Sequence, residues 1–426
     1  MKGWTTRTIG DLCDAGGGKV QTGPFGSQLH ESDYSATGTP VVMPKDILDS
    51  RIDETSIARV SEGHVFRLRR HQLAKGDIVY GRRGDIGRQA LTRDENIGWL
   101  CGTGCLRISL GDCALIPKFL HLYLKQAEVI RWIEGQAIGA TMLNLNTNIL
   151  RRIPVTFPAA KDAQSKIVAT VSAYDELIET NQRRIALLEK LAEEIYREWF
   201  VRFRFPGHAQ VKIVKGVPEG WKLEKLEQAF AYTGGGTPSK DVSRYWEGGE
   251  INWFTPTDIT GAAGMFLSRS ATQCTDEGFS NSSAKMFPAY SVMLTSRATI
   301  GAVGINTTPA CTNQGFITCI PNNRYPLPYL YHWLKLAKPH FESLSVGATF
   351  PELTKGTFKR IEILTPPEAI VTAFNDLESP LFEQIETLLS ANQHLTRTRD
   401  LLLPRLISGK LAVADLDIQF PPGMAD

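Results

Sequence analysis

The chain has 426 residues, of which 42% are hydrophobic and 22% are charged, and its formal net charge is +2. This length is too great for one ordinary core and suits two domains with connecting elements. No stretch approaches the roughly 18 apolar residues of a membrane span. The seven cysteines include no CxxC pair, which argues against a disulfide framework and a structural zinc site. The opening residues MKGWTTRTIGDL lack an apolar signal region. We therefore expect a soluble protein of the reducing cytoplasm.

Basic residues are bunched locally although the bulk charge is nearly neutral. The bunched residues are Arg67, Arg69, Arg70, Lys75, Arg82, Arg83, Arg88 and Arg93. Such a cluster is compatible with nucleic-acid binding. It is equally compatible with a solvated, salt-bridged surface, because Asp77 and Asp85 lie among these residues.

The most informative feature is an internal repeat, whose matches follow the same order in both halves. Its matching pairs are Gly3-Trp4 with Gly220-Trp221, glycines 16–18 with 234–236, 44–47 with 256–259, Arg83, Ile86 and Gly87 with Arg297, Ile300 and Gly301, Cys101 with Cys311, Pro117 and His121 with Pro328 and His332, and 139–158 with 347–366. Each single match is weak, but the colinear series predicts two copies of one domain.

Each copy is predicted to be an α+β globule of about 150 residues, a normal domain size. Short β-rich segments alternate with Gly, Pro, Asn and Ser, as at 77–80, 106–110 and 316–320. Helices are predicted near 118–133 and 327–341. His121 and His332 lie among apolar residues of these helices and are interpreted as packing residues.

Long helices are predicted after each globule, because apolar residues there recur at heptad spacing. The first runs from 164 to about 200, with Asn181 as its one clear polar interruption and a surface turn expected at 180–182. The second includes Phe374 and four leucines spaced by sevens. Pro380 is expected in the first turn of a new helix, and Pro404 should end or kink that helix. The predicted seam consists of Ile178, Ile185, Leu188, Ile195, Leu381, Leu388, Leu395 and Leu402.

The order globule, helix, globule, helix allows the two helices to pair as an antiparallel coiled coil, giving a pseudo-twofold arrangement. The alternative is that each helix packs only onto its own globule. The heptads together with the repeat favour the pair.

Several catalytic motifs are missing from the sequence. It has no GxxxxGK[ST] phosphate loop, no GxSxG elbow and no HExxH. Neither Pro-Pro pair follows an Asn, as an adenine N6-methyltransferase motif would require. The glycine triplets at 16–18 and 234–236, with Lys19 and Lys240 nearby, could bring backbone N–H groups to phosphates. They could equally be plain turns.

Two segments closely resemble the conserved helical regions of the specificity subunit of type I restriction-modification systems. They are IALLEKLAEEIYREWFVRFRFPGH (185–208) and RDLLLPRLISGKLAV (399–413). GGGTPSK (234–240) likewise resembles a common opening of this family's target recognition domains. The first repeat departs from that form with GGGKVQTGPFGS.

The resemblance implies a non-catalytic, DNA-binding subunit for host defence. In that family two target recognition domains each read half of a split DNA sequence, and two conserved helices separate them. Two modification subunits methylate adenine, and restriction subunits translocate and cleave. No cofactor is implied in this chain, because S-adenosylmethionine, ATP and Mg²⁺ belong to those partners.

The implied division of the chain is 1–158 for the first target recognition domain, 159–210 for the central helical region, 211–366 for the second domain, 367–412 for the C-terminal helical region and 413–426 for a tail. Loop position gives the candidate DNA contacts, since Arg reads guanine and Asn or Gln reads adenine in the major groove. These candidates are Lys19, Lys45, Arg82, Arg83, Arg88, Lys240, Arg297, Asn313 and Gln314. Two alternatives are a single-chain restriction and methylation enzyme, which lacks its motif here, and a coiled-coil scaffold with protein-binding globules.

Overall fold

The computed structural model describes residues 3–48, 51–82, 87–136, 144–347 and 351–413. The chain forms two compact units. The first unit consists of residues 1–177 and 395–426, and the second unit of residues 178–394.

The globular part of the first unit is an α+β fold with twelve described strands. Its elements are β1 (Trp4–Thr8), α1 (Ile9–Gly16), β2 (Gly17–Thr22), β3 (Tyr34–Ser35), β4 (Thr39–Val42), β5 (Ile47–Leu48), β6 (Arg51–Ile52), β7 (Ala58–Val60), α2 (Glu62–Arg67), β8 (Ile78–Gly81), β9 (Gln89–Leu91), β10 (Leu100–Cys101), β11 (Cys105–Gly111), α3 (Pro117–Leu124), α4 (Ala127–Gln136), α5 (Thr147–Arg151) and β12 (Pro154–Pro158). The strands at 77–80 and 106–110 are confirmed. The helix predicted at 118–133 is broken into α3 and α4.

Two sheets dominate this unit, in the orders β2-β11-β8-β9 and β10-β4-β7-β3. The first sheet is antiparallel. Strand side chains such as Tyr80 and Ile108 point inward and form its apolar face, and α3 packs in the same core. In the second sheet β4 and β10 are parallel. The remaining strands pair as β1 with β12 and β5 with β6.

A long helix, α6 (Lys161–Tyr196), follows β12 and ends in a π-helical turn at Arg197–Val201. The elements after it are β13 (Ile213–Val214), β14 (Val217–Pro218), β15 (Lys222–Lys225), α7 (Leu226–Ala229), β16 (Ala231–Gly234), β17 (Ile251–Phe254), α8 (Pro256–Thr260), β18 (Phe266–Leu267), β19 (Gln273–Cys274), α9 (Asp276–Ser280), β20 (Val292–Thr295), β21 (Val303–Asn306), β22 (Ala310–Thr312), β23 (Phe316–Ile320), α10 (Leu327–Leu336), α11 (Lys338–Ser343), α12 (Lys355–Phe358), β24 (Glu362–Thr365) and α13 (Glu368–Ile407). The strand at 316–320 is confirmed, and the helix predicted at 327–341 is divided into α10 and α11.

The second unit repeats the strand order of the first, except that β18 extends the larger sheet and no described strand of the smaller sheet corresponds to β3. Its sheets run β16-β23-β20-β21-β18 and β19-β17-β22, and β15 pairs with β24 as β1 pairs with β12. The pair β17 and β22 is parallel, like β4 and β10. The duplication predicted from the sequence is therefore confirmed at the level of strand pairing.

The proposed match between the two glycine triplets is wrong. Thr22 pairs with Leu106 as Gly234 pairs with Ile317, so Thr22 and Gly234 occupy the same place at the end of their strands. The structural counterpart of glycines 234–236 is thus 22–24, and glycines 16–18 lie at the other end of β2. Glycine identity alone suggested the match, but the length of one strand separates glycines 16–18 from the true counterpart of glycines 234–236.

Both long helices are more continuous than predicted. Residues 180–182 lie inside α6, so the surface turn expected there is wrong, and Asn181 is buried. Pro380 lies in the interior of α13, not in the first turn of a new helix, and α13 continues for one turn beyond Pro404. Each proline removes one intrahelical hydrogen bond. Near Pro380, apolar side chains such as Phe382 are buried in the second unit's core, and this packing keeps α13 continuous past the missing hydrogen bond.

The helices pair antiparallel within each unit, as predicted. In the second unit Asn181 Nδ2 donates to Asn392 Oδ1 at 2.9 Å, and the rings of Tyr196 and Phe374 lie 5.9 Å apart. In the first unit the guanidinium of Arg399 donates to the Asp175 carboxylate at 2.6 Å. In that unit Ile167, Val168 and Val171 share a core with Leu403, Leu406 and Ile407.

The predicted seam residues differ in burial. Ile178, Ile185 and Leu388 are buried, whereas Leu188, Ile195, Leu381, Leu395 and Leu402 are half-buried. In the second unit the helices also pack against the sheets, since Ile185 and Leu388 belong to the same core as strand residues. The helices therefore pair with each other and also pack onto a globule.

The two predicted packing histidines are buried. His121 Nδ1 lies 2.8 Å from Gln89 Oε1. His332 is fully buried, and its Nε2 lies 3.6 Å from Oε2 of the equally buried Glu378 on α13. Burial raises the pKa of Glu378 to about 8 and lowers the pKa of His332 to about 3. Both groups are therefore mainly uncharged at neutral pH.

We expect Glu378→Gln to remove one source of pH dependence from the stability. Since the folded pKa lies above the ordinary value of 4.5, the folded state retains a proton that the unfolded state releases. The free energy of unfolding should fall as pH rises from about 4.5 to about 8, by at most about 1.4 kcal/mol per pH unit. Urea unfolding at pH 5, 6, 7 and 8 should show Glu378→Gln gaining stability relative to the parent as pH rises. A difference that does not vary with pH would contradict this account.

Candidate nucleic-acid interface

In the first unit, the loops that follow two parallel strands lie side by side. Because β4 and β10 run parallel, their carboxyl ends meet at one edge of the sheet. The Gly102 N–H donates to the Val42 carbonyl at 2.9 Å, which places residues 102–104 beside residues 43–46. The Met43 N–H donates to the Asp46 carboxylate at 2.9 Å and closes the turn formed by residues 43–46. Burial raises the pKa of Asp46.

A third loop joins this edge through Arg82, which follows β8. Its backbone N–H donates to the Gly104 carbonyl at 2.9 Å. Its guanidinium Nε donates to Asn144 Oδ1 and the Leu145 carbonyl, both at 3.1 Å. Arg88 Nη1 donates to the Pro44 carbonyl at 3.3 Å. These two arginines are therefore oriented by their own unit. We call residues 43–46, 82 and 102–104 the first recognition edge.

The second unit builds the same edge with the same hydrogen bonds. The Asn313 N–H donates to the Phe254 carbonyl at 3.0 Å, and the Ser296 N–H donates to the Gly315 carbonyl at 2.7 Å. The Thr255 N–H donates to the Asp258 carboxylate at 2.7 Å, as Met43 does to Asp46. This shared turn explains the Pro-x-Asp-Ile repeat of the sequence. We call residues 255–258, 296–297 and 313–315 the second recognition edge.

Glycine is required where the next loop crosses each edge. A Cβ on Gly23 would collide with the Gly102 carbonyl oxygen, and a Cβ on Gly235 would collide with the Asn313 carbonyl oxygen. Gly102 and Asn313 are equivalent positions, so the two loops cross at the same place. Lys355 packs over the neighbouring Gly234, where a Cβ would collide with its ammonium group. Sequence reasoning missed Lys355, because it lies far along the chain from the loop it covers.

The polar side chains of the second edge have partners within the unit. Arg297 Nε lies 2.9 Å from Glu352 Oε1, and both side chains are partly exposed. The Thr237 hydroxyl donates to Gln314 Oε1 at 2.6 Å. Asn313 Oδ1 accepts from the Gly315 N–H at 2.9 Å. These contacts fix the direction of side chains that stand at an exposed rim.

The predicted DNA contacts fall into three groups. The structure brings Lys45, Arg82 and Arg88 together at the first edge and Arg297, Asn313 and Gln314 together at the second. Lys19 lies within β2, opposite Ser109, and Lys240 lies in an exposed turn beyond the glycine loop, so these two are not equivalent. Arg83 lies outside the described residues. The assignment of these nine residues to DNA contacts stays a prediction.

The described ranges of the chain show neither a metal-binding group of side chains nor a membrane-spanning helix. Within those ranges, no three or more His, Cys, Asp or Glu side chains are grouped so that they could hold a metal ion. No helix in the same ranges is long and apolar enough to cross a membrane.

The family comparison matches both halves of the chain. The model of the type I restriction modification DNA specificity domain matches residues 1–190 and residues 218–389. The chain belongs to this family. Each match contains one recognition edge, and the predicted resemblance is confirmed.

The chain is also similar to curated specificity subunits of type I restriction enzymes. The HindI specificity subunit of Haemophilus influenzae is 23% identical over 86% of this chain and 93% of its own length. The MjaIX specificity subunit of Methanocaldococcus jannaschii is 34% identical over 45% of this chain, and the match spans 46% of that protein. A crystal structure of the type I S subunit from M. genitalium shares the fold with a TM-score of 0.61, at 18% identity, covering 95% of this chain and 96% of that one.

The Arg297–Glu352 pair generates a prediction about affinity for DNA. We expect Glu352→Ala to strengthen binding to a labelled duplex about threefold to tenfold, because it frees the guanidinium for phosphate or guanine. Arg297→Ala should weaken binding by a similar factor and lower the salt dependence by about one counterion. Fluorescence anisotropy at several salt concentrations measures both effects.

A matched control separates this effect from a change in bulk charge. Glu224→Ala removes an acidic group that pairs with Arg324 at 2.5 Å on another part of the second unit. It should leave affinity nearly unchanged. The double variant of Arg297 and Glu352 should resemble Arg297→Ala. Equal gains for Glu352→Ala and Glu224→Ala would exclude Arg297 as the cause.

Proposed function

We propose that this chain is the specificity subunit of a type I restriction-modification complex and that it recognises a bipartite DNA target. One half of the target would be read by the recognition domain at residues 1–158 and the other half by the domain at residues 211–366. The observation that carries the proposal is the duplicated recognition edge, built by equivalent hydrogen bonds inside each match to the DNA specificity domain.

The chemistry of the two edges suits base reading. Loops at a strand edge can enter the major groove, where arginine pairs with guanine and amides pair with adenine. The first edge offers Arg82 and Lys45, and the second offers Arg297, Asn313 and Gln314. Because the two sets differ, we propose that the halves of the target differ in sequence.

The long helices are proposed as the spacer between the two readers. With 36 and 40 residues, α6 and α13 are about 54 Å and 60 Å long at about 1.5 Å per residue. One turn of duplex is about 34 Å. A pair of this length is sufficient to hold two readers at half-sites one or more turns apart.

The proposed partners supply the chemistry. Two modification subunits would methylate adenine, and restriction subunits would translocate and cleave. S-adenosylmethionine, ATP and Mg²⁺ would be held by those subunits. The missing phosphate-loop and methyltransferase motifs support a chain that directs catalysis without performing it.

Exchange of one domain tests the proposal. Replacing residues 1–158 with the corresponding domain of another family member should change one half of the methylated target and leave the other half and the gap unchanged. Methylome sequencing of cells that carry the exchanged chain and its partner subunits gives the result. The converse exchange of residues 211–366 is the control and should change the opposite half. A simultaneous change in both halves would exclude two independent readers.

A further inference from the structure

The first unit carries exposed aromatic and basic side chains beside its recognition edge. Phe25 and Phe66 are 55% and 72% exposed. Arg67, Arg69 and Arg70 follow Phe66 and are exposed as well. We call these five residues the aromatic–basic surface. Large exposed aromatic groups next to cations are typical of an interaction site.

Gln28 joins the two segments of this surface. Its Oε1 accepts from the Phe25 N–H at 3.2 Å and from Arg70 Nη2 at 3.3 Å. Its carbonyl accepts from Arg67 Nη2 at 3.2 Å. The Arg69 guanidinium stands 5.0 Å from the centre of the Phe66 ring. The loop that carries Phe25 is thus tied to the segment that carries the arginines.

The surface is continuous with the first recognition edge. The loop of Phe25 begins at Gly23, which lies against the Gly102 carbonyl of that edge. Pro24 is buried, and the loop then exposes residues 25–27. Phe25 is therefore only two residues beyond Gly23, the residue that lies against the edge.

A buried arginine anchors the basic segment from below. Arg107 on β11 pairs with Asp77 at 3.7 Å and donates to the Arg70 carbonyl at 3.2 Å and to the Gln72 carbonyl. Gln21 Nε2 lies 3.3 Å from His71 Nδ1. The bonds from Arg107 to the Arg70 and Gln72 carbonyls hold the backbone of this segment. The side chains of Arg67, Arg69 and Arg70 remain exposed, with Arg67 Nη2 3.4 Å from Asp33 Oδ2 and Arg70 Nε donating to His71 Nε2 at 3.0 Å.

The second unit has the same elements but different residues at the positions of Phe66 and the arginines. α9 follows β19 as α2 follows β7, but residues 280–284 are Ser-Asn-Ser-Ser-Ala. The counterpart of the Phe25 loop is fixed by Thr237, whose hydroxyl donates to Gln314, and by Trp246 Nε1, which donates to the Ser239 carbonyl at 2.9 Å. The nearest arginine of that unit, Arg244, pairs with Glu277 on α9 at 2.7 Å. The fold therefore forms without Phe66 and the three arginines at the matching positions, so a ligand explains these residues better than folding does.

We propose that the aromatic–basic surface binds duplex DNA flanking the half-site read by the first unit. The arginines would contact phosphates, and Phe25 and Phe66 would pack against base or sugar edges in a groove. This inference rests on the proposed function. It adds a contact that extends the DNA footprint on one side of the target only.

Flank truncation tests the inference with the assembled complex. The probe is the methylated target found by methylome sequencing, with 15 base pairs on each side. Removing the flank beside the half-site assigned to residues 1–158 should weaken binding about tenfold, and removing the opposite flank should have little effect. The double variant Phe25→Ala/Phe66→Ala should bind the full duplex as the parent binds the truncated one.

Further variants separate charge from packing. Changing Arg67, Arg69 and Arg70 to Gln should lower the slope of log affinity against log salt by up to about 2.7, and changing them to Lys should restore most of it. Leu223→Ala, which removes another exposed apolar side chain (61%) from the second unit, is the control.

The outcomes distinguish the inference from the function on which it rests. Equal loss from truncating either flank, or no loss from either, would overturn the inference while binding to the target persists. Failure of the parent complex to bind its methylated target would overturn the proposed function itself. Truncation is measured on the parent chain, so the test stands even if a variant fails to fold.

Discussion

In the second unit a hydrogen bond between two asparagine side chains fixes how the long helices pair. Asn181 and Asn392 lie 2.9 Å apart, and Asn392 also donates to the Ile178 carbonyl at 3.4 Å. A slip of either helix would leave a buried amide unpaired, at a cost of about 1–3 kcal/mol. Polar pairs of this kind specify register in helix pairs. The core of the unit depends on that register, since Phe374 and Ile385 on α13 and Ile185 and Tyr196 on α6 belong to the same core as residues of the sheet strands.

A second constraint acts within each globule and gives the recognition edges their form. One parallel pair of short strands brings two loops to the same sheet edge, and a backbone bond from the third loop closes it. Apart from the Asp46 and Asp258 carboxylates, this scaffold uses backbone groups, so the other side chains of the edges can change without altering it. A framework of this kind fits the proposed reading of different DNA sequences by the two units.

The sequence predicted the duplication, the α+β character and the long helices, because repeated motifs and heptad spacing are visible in the order of the residues. It did not predict strand partners. The glycine runs at 16–18 and 234–236 looked equivalent, yet pairing of Thr22 with Leu106 places them at opposite ends of their strands. Asn181 looked like a surface break because its partner, Asn392, lies more than 200 residues away. Pro380 looked like a helix start because the core that holds α13 across it is tertiary.

The most direct test of the account is to lengthen both helices together. One heptad inserted beside Asn181 and one beside Asn392 preserves the antiparallel seam and adds about 10 Å. At about 3.4 Å per base pair, methylome sequencing should show the gap between half-sites growing by about three base pairs, with both half-sites unchanged. A heptad in one helix alone breaks the register and should abolish methylation. Full methylation with an unchanged gap after the paired insertion would contradict the proposed spacer.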